Sequence, residues 1–171
     1  MRLDACAKTR RMSEPNHALS RKVFIAACAC GAAAAGSGLA RAAGGTFSTV
    51  SQLRAHRAAI YSLHVYELRP AVQTGRAVTP LALEHFPGVH LTIHHDAATI
   101  DATLQALVTS APQTSAAPFD ARWGLVYFGH GGVRLFSAYT DVLATQGSLG
   151  ARRVVFNNPS PLLGALHDAA S

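Results

Sequence analysis

Cysteine and lysine are nearly absent from this 171-residue chain, and the few present lie near its N-terminus. All three cysteines and both lysines precede residue 43. Residues 43–171 therefore cannot use thiol catalysis, disulfide exchange or a cysteine-based metal site. This part of the chain must be stabilised by its hydrophobic core alone, and its length of about 129 residues is enough for one sizeable core.

An excess of charge of one sign is also missing from residues 43–171. The whole chain has a formal net charge of +6, but past residue 42 eight arginines stand against seven carboxylates. Binding to nucleic acid needs a basic stripe, and the pair Arg152-Arg153 is too short to form one. We therefore expect no nucleic-acid partner.

Recognisable catalytic and phosphate-binding motifs are lacking as well. No glycine-rich turn follows the first predicted strand, which argues against a doubly wound nucleotide-binding fold. The run Gly129-His130-Gly131-Gly132 is similar to the oxyanion glycine motif of esterases, but the G-x-S-x-G motif that those enzymes need is absent. A turn is the favoured interpretation, because glycine adopts positive φ without a steric clash. A small hydrolase assembled only by the fold is the least favoured alternative.

The first 42 residues predict an export signal peptide rather than a part of the fold. A polar stretch up to Lys22 precedes the apolar and small-residue run VFIAACACGAAAAGSGLA, and cleavage is expected after Ala42. The segment Ser20–Ile25 resembles the twin-arginine export motif, with lysine in place of the second arginine. That substitution leaves the general secretory route open. We expect a periplasmic or secreted domain over residues 43–171, without a stable membrane span.

The hydrophobic pattern of residues 43–171 predicts an α+β domain. We expect a mixed, largely antiparallel sheet of about five strands, with three to four helices packed mainly on one face. Helices are expected to begin near Thr49, Thr79, Asp96 and Ser160, where capping residues or first-turn prolines precede apolar residues. Strands are expected in residues 60–68, 89–95, 119–139 (two strands) and 152–157, whereas 111–118 and 141–150 are expected to be connections.

The stretch from Phe119 to Tyr139 predicts a β-hairpin, because two apolar runs flank the glycine-rich break at residues 129–132. It holds six of the eleven aromatic residues found after residue 42. A two-residue loop would pair Phe128 with Val133, whereas a three-residue loop with a bulge would place Trp123 opposite Tyr139. The pattern leaves both registers open.

Histidine is the one functional residue type that is enriched, with eight copies in residues 43–171. Strand 89–95 alternates, which predicts a polar outer face bearing His90, Thr92 and His94. The Cα atoms of His90 and His94 would be about 13 Å apart in a straight strand, so a shared metal would need another ligand, such as His64. A Zn or Cu site at His64, His90 and His94 is the alternative hypothesis. Ordinary imidazoles without a cofactor are favoured.

Aromatic and arginine side chains of the hairpin are the candidates for binding a partner. Arg122 and Arg134 would form an anion-recognising pair if the register aligned them, and Trp123 with Tyr139 would supply aromatic contact area, although most such side chains form core. We expect a non-enzymatic binding or accessory module whose contact surface includes Trp123, Tyr139, Arg122 and Arg134. Its partner is expected to be a protein or a small molecule.

Overall fold

The computed structural model describes residues 45–171, so the predicted export signal and its cleavage site lie outside the described residues. The helices in this part are α1 (Val50–Ala55), α2 (Pro80–Leu83), α3 (Ala97–Thr109) and α4 (Ser160–Ala170). The strands are β1 (Ser62–Glu67), β2 (His90–His94), β3 (Pro112–Thr114), β4 (Trp123–Phe128), β5 (Arg134–Thr140), β6 (Gln146–Leu149) and β7 (Arg152–Phe156). None of the described helices has the length and apolar character that a membrane crossing requires.

One antiparallel sheet contains all of these strands, in the order β2-β1-β4-β5-β6-β7-β3. The predicted α+β class is confirmed, but the sheet has seven strands rather than about five. The additional strands, β3 and β6, lie in the stretches expected to be connections. Both are short and lack an alternating apolar pattern, and they form because neighbouring strands offer backbone hydrogen-bond partners.

Three of the helices begin where the sequence places a capping residue. Thr49, Thr79 and Asp96 each accept a hydrogen bond from the backbone N–H three residues later, at 3.1, 3.3 and 2.7 Å. Each side chain thereby satisfies one of the N–H groups that have no partner inside the helix. Local sequence therefore sets these boundaries before any packing is considered.

Helices α1, α3 and α4 pack on one side of the sheet, which we call the helix face. The core here joins apolar residues of these helices to inward-facing residues of the central strands, among them Leu63, Leu125 and Phe136. The fully buried Tyr127 donates a hydrogen bond to Thr103 Oγ1 of α3 at 3.0 Å. Burial of each large apolar side chain stabilises the fold by roughly 1.5 to 3 kcal/mol.

The opposite side of the sheet, which we call the loop face, is covered by residues 69–89, including α2. A smaller apolar cluster holds this segment against the sheet and consists of Tyr66, Leu68, Val78, Leu83, Ala121, Val126 and Tyr139. The cover extends over β1, β4 and part of β5. It leaves the loop face of β5, β6 and β7 only partly covered, and the candidate site lies there.

The β4–β5 hairpin has a register that differs from both predicted alternatives. Phe128 pairs with Arg134, and Trp123 pairs with Thr140. One residue of β5 has no partner on β4, because the register shifts between Tyr127 and Phe128. The connection contains a 3₁₀ turn over residues 130–132, and two of its glycines have φ of 72° and 74°. This longer loop with a bulge re-aims the side chains of β5. Trp123 and Tyr139 therefore lie on opposite faces of the sheet.

The outer face of edge strand β2 is apolar, whereas the sequence predicted a polar outer face. Leu91 and Ile93 are 42% and 48% exposed. His94 is instead half-buried on the helix face, with its Nε2 2.6 Å from the Ala169 carbonyl oxygen of α4. The prediction was wrong because α4 contacts the polar side of the strand, whereas the cover on the loop face stops short of the apolar side.

Candidate ligand pocket

A cavity of about 440 Å³ lies on the loop face, beside α2 and over strands β5 to β7. Its floor is a row of three side chains, because Tyr139 pairs with Ser148 and Ser148 pairs with Arg153 across neighbouring strands. Residues paired in this way project from the same face of the sheet. The walls are mainly apolar and consist of Ala77, Thr79, Pro80, Leu81, Pro118, Phe119, Gly150 and Ala151.

The wall that contains α2 is held in place by contacts to the residues before β4. The Val78 N–H donates to Asp120 Oδ1 at 2.6 Å, and the Ala121 N–H donates to the Val78 carbonyl at 2.9 Å. Arg122 secures the same segment by donating to the Val72 carbonyl at 2.9 Å and to Thr74 at 3.2 Å. The pocket is therefore bounded by a segment with several fixed attachments.

Ser148 is the most informative residue in the pocket. Its side chain is on the loop face, the residue is only 5% exposed, and its hydroxyl has no hydrogen-bond partner among the described residues. A buried hydroxyl without a partner costs about 1 to 3 kcal/mol. Ser148 lines the pocket, but its oxygen has almost no accessible surface, so the side chain would have to rotate about χ1 to bring the hydroxyl to a polar atom of a ligand.

Arg153 lies at the outer end of the floor row, and its guanidinium gives the rim of the pocket a positive charge. It is exposed, and one guanidinium nitrogen donates to the Ala116 carbonyl at 3.2 Å. Within residues 45–171, no carboxylate lies within ion-pair distance of Arg153, and the pocket lining includes no acidic side chain. The rest of the guanidinium can therefore bind an anionic group.

Behind the pocket, Tyr139 belongs to a buried polar cluster with Glu84 and Arg134. The Tyr139 hydroxyl donates to Glu84 Oε1, Arg134 Nη2 donates to Glu84 Oε2 at 2.5 Å, and Arg134 Nη1 donates to the Tyr139 oxygen at 3.2 Å. The Glu84 side chain is only 7% exposed. This closed triangle ties the residue after α2 to the centre of the sheet and fixes the ring of Tyr139.

Burial and the Glu84 carboxylate together raise the pKa of Tyr139 well above its ordinary value. The phenol therefore stays protonated and keeps donating to Glu84 over the whole physiological range. Burial alone would lower the pKa of Arg134, but its contacts with Glu84 and Tyr139 leave that pKa above the ordinary value. The guanidinium of Arg134 therefore stays charged, and we assign this cluster a positioning role for Tyr139.

Gly124 allows Tyr139 to lie close to the sheet. It is the residue that pairs with Tyr139 on β4, and a Cβ there would approach the Tyr139 ring to 3.1 Å and Leu83 to 3.4 Å. Such contacts are tighter than ordinary packing, so a larger residue would push the ring or α2 away. The absence of a side chain at this position shapes both the cluster and the pocket floor.

Of the four residues predicted to bind a ligand, the structure brings two together. Arg134 and Tyr139 are hydrogen-bonded to each other, whereas Arg122 lies at the other end of the hairpin, with Asp120 at 2.7 Å. Trp123 is 4% exposed on the helix face, where its ring packs against His167 with centroids 5.2 Å apart. The register does not align Arg122 with Arg134, so the condition for an anion-recognising pair of these two arginines is not met. Of the four, only Tyr139 lines the pocket.

The three histidines of the metal hypothesis do not converge. His64 lies on the loop face, where its ring packs against Phe128 with centroids 4.5 Å apart, whereas His94 is on the helix face. Burial and the nearby His95 lower the pKa of His64, so its neutral form is favoured. His90 pairs with Glu67 and is exposed. Residues 45–171 contain no group of three or more His, Cys, Asp or Glu side chains that could hold a metal ion, and metal binding stays an untested prediction.

Sequence reasoning missed Ser148, Arg153 and Glu84. Ser148 lies in a stretch expected to be a connection, and Arg153 was considered only as half of a basic pair. Glu84 becomes significant only through contacts some fifty residues away along the chain. The one local signal for Ser148 was its position beside Leu149 in a short stretch between turns, and this signal is weak.

The chain matches no protein-family model, and it shows no match to a curated protein or to a solved structure.

Proposed function

We propose that this chain is an exported, non-enzymatic binding protein whose loop-face pocket takes a small, mainly apolar molecule that carries an anionic group. The observation that supports this most is the buried, unpartnered hydroxyl of Ser148, positioned between Tyr139 and Arg153 on the floor of an apolar cavity. Binding sites for small molecules commonly combine an apolar lining with a few polar groups that fix orientation.

Each part of the pocket has a role in this proposal. The apolar walls, including Leu81 and Phe119, exclude water from the body of the ligand. The hydroxyl of Ser148 supplies a hydrogen bond after rotation of its side chain toward the ligand, and the Arg153 guanidinium attracts the anionic group at the rim. Export is supported by the leader-like composition of residues 1–42, and it places the binding event in the periplasm or outside the cell.

The charge preference is tested with decanoate, and with decanol as the uncharged ligand of the same length. Calorimetric titration is expected to show decanoate binding at least about tenfold more tightly than decanol, because a charge-assisted hydrogen bond adds roughly 1.5 kcal/mol or more. The substitution Arg153→Gln is expected to remove that difference while leaving decanol affinity nearly unchanged.

Arg152→Gln is the matched control, because it removes the same charge from the neighbouring residue of β7. Arg152 pairs with Leu149 and does not line the pocket, since alternate residues of a strand project to opposite faces. Equal loss of decanoate affinity in both variants would show that net charge, and not the pocket, attracts the ligand. Failure of both ligands to bind the wild-type protein at millimolar concentration would overturn the proposal for this ligand class.

A further inference from the structure

Strand β2 has properties that are unusual for an open sheet edge. It pairs only with β1 among the described strands, so its outer side has no strand partner in residues 45–171. Open edges in natural proteins are normally protected by charged residues, proline, a bulge or very short length. The sequence from His90 to His94 contains no proline and no formal charge with neutral histidine, and its register with β1 is regular over five pairs.

The other edge of the sheet provides an internal comparison. Strand β3 is only three residues long and begins with Pro112, which has no N–H to offer. It therefore shows two of the usual protective features, whereas β2 shows none. Strand β2 is therefore the less protected of the two edges and the one more open to pairing with another strand.

The backbone groups available at this edge can be identified from the sheet register. Gly150 N–H donates to the Ser137 carbonyl, so residues 137 and 139 direct their backbone groups to β6, and residues 136, 138 and 140 direct theirs to β4. The same alternation applies to β4 and then to β1, so the backbone N–H and C=O groups of Leu63, Val65 and Glu67 point to β2. Their partners His90, Thr92 and His94 are thereby engaged with β1. The N–H and C=O groups of Leu91 and Ile93 point to the open side.

The sequence of β2 is nearly symmetric about its centre. Reading outward from Thr92, the two sides present an aliphatic residue and then a histidine, in the order His90-Leu91-Thr92-Ile93-His94. In an antiparallel pair of two such strands centred on Thr92, Leu91 of one copy lies opposite Ile93 of the other. This register places the free backbone groups opposite each other and joins four exposed aliphatic side chains on the loop face.

We propose that β2 pairs with β2 of a second copy of this chain, in an antiparallel register centred on Thr92. The contact is isologous, with a two-fold axis at Thr92, and it joins the two sheets into one continuous sheet. Two Leu91–Ile93 pairs carry the inter-chain backbone hydrogen bonds. The partially exposed Leu91 and Ile93, at 42% and 48%, become buried on one side by the other copy. This proposal is independent of the ligand pocket.

Oligomeric state is the first test. Analytical ultracentrifugation of the full chain is expected to give a species of twice 17.9 kDa that dissociates on dilution. A mass of one chain at all concentrations up to the order of 100 µM would overturn the proposal.

The register is tested with two double variants that remove the same aliphatic side chains. Leu91→Lys with Ile93→Lys places like charges opposite each other, whereas Leu91→Glu with Ile93→Lys places opposite charges together. We expect the dissociation constant of the first dimer to exceed that of the second by at least about tenfold. Both positions are exposed, so both variants are expected to fold, which circular dichroism checks. Equal dissociation constants would contradict pairing of residue 91 with residue 93.

A covalent test uses Thr92→Cys after replacement of Cys6, Cys28 and Cys30 by serine. In the proposed register the two copies of residue 92 form a non-hydrogen-bonded pair, with Cα atoms about 4.5 Å apart, which is within disulfide range. Oxidation is expected to yield a disulfide-linked dimer, and Thr114→Cys on the opposite edge is expected to yield none. Equal cross-linking of both variants would indicate random collision and would overturn the register.

Discussion

At the scale of single residues, Ser148 is a position where stability conflicts with the proposed ligand binding. Its hydroxyl is buried without a partner, although a methyl group would fit the same position without an unsatisfied polar atom. Proteins normally avoid such groups, and those that occur usually have a functional reason. Gly124 is a second example, because the absence of a side chain there leaves room for the Tyr139 ring. Ser148 thus matters because its hydroxyl has no partner among the described residues, and Gly124 matters because it has no Cβ atom.

Replacing Ser148 by alanine is therefore expected to stabilise the empty protein and to weaken ligand binding. We expect the free energy of unfolding to rise by about 0.5 to 1 kcal/mol, because an unsatisfied hydroxyl is removed. Denaturant titration measures this change, and calorimetry with decanoate measures the expected loss of affinity. The control is Ser137→Ala. Ser137 is a buried serine of β5 that lies on the same face of the sheet as Ser148 but does not line the pocket. Lower stability in Ser148→Ala would contradict the assignment of an unpartnered hydroxyl.

At the scale of elements, glycine has opposite effects in the hairpin and in helix α4. Gly132 has φ of 74° in the β4–β5 connection, a conformation that costs any residue with a Cβ. Gly164 lies inside α4, and a Cβ there would meet no atom within 4 Å. The hairpin needs Gly132 because the chain adopts positive φ there, whereas helix α4 has no such requirement at Gly164.

The same substitution at these two glycines is expected to change stability in opposite directions. Gly132→Ala is expected to lower the free energy of unfolding by about 1 kcal/mol, because of backbone strain. Gly164→Ala is expected to raise it by about 0.5 to 1 kcal/mol, because alanine loses less backbone entropy in a helix. Each is measured by denaturant titration. Two changes of the same sign would show that one of these local conformations is described incorrectly.

At the scale of the described domain, the two faces of the sheet differ in how they are covered. Three helices and most of the large buried side chains stabilise the helix face, whereas a single segment with the four-residue α2 covers part of the loop face. Local opening requires less free energy where fewer apolar contacts must break. We therefore expect the pocket wall to open at a lower free energy than the helix face, which would admit the proposed ligand without global unfolding.

Hydrogen exchange is expected to reveal this difference between the faces. The Leu83 N–H, which donates to the Thr79 carbonyl at 3.0 Å, is expected to exchange at least about tenfold faster than amides at the centre of α3. Mass spectrometry of the native protein measures both in one experiment, so the α3 peptides serve as the internal reference. Equal protection of α2 and α3 would show that the loop-face cover opens only with the whole domain.

Local patterns in the sequence predicted the fold class, the main helices and the hairpin, and they did so for physical reasons. A capping residue such as Asp96 acts on N–H groups three residues away, and an apolar run such as that in β4 pairs with its neighbour across a short loop. Strands β3 and β6 escaped prediction because their pairing is imposed by partners and not by their own residues. The face of β2 was misassigned because exposure depends on where α4 lies.

What the sequence alone determined are features that arise within one element, namely three capped helix starts, the alternation of residues along β2 and the turn glycines, together with the absence of cysteine after residue 42. Only the tertiary structure decided which residues meet across the sheet. It placed Glu84 against Arg134 and Tyr139, and it aligned Tyr139, Ser148 and Arg153 on one pocket floor. Contacts between distant residues depend on register, and a shift of one residue in register turns every side chain to the other face.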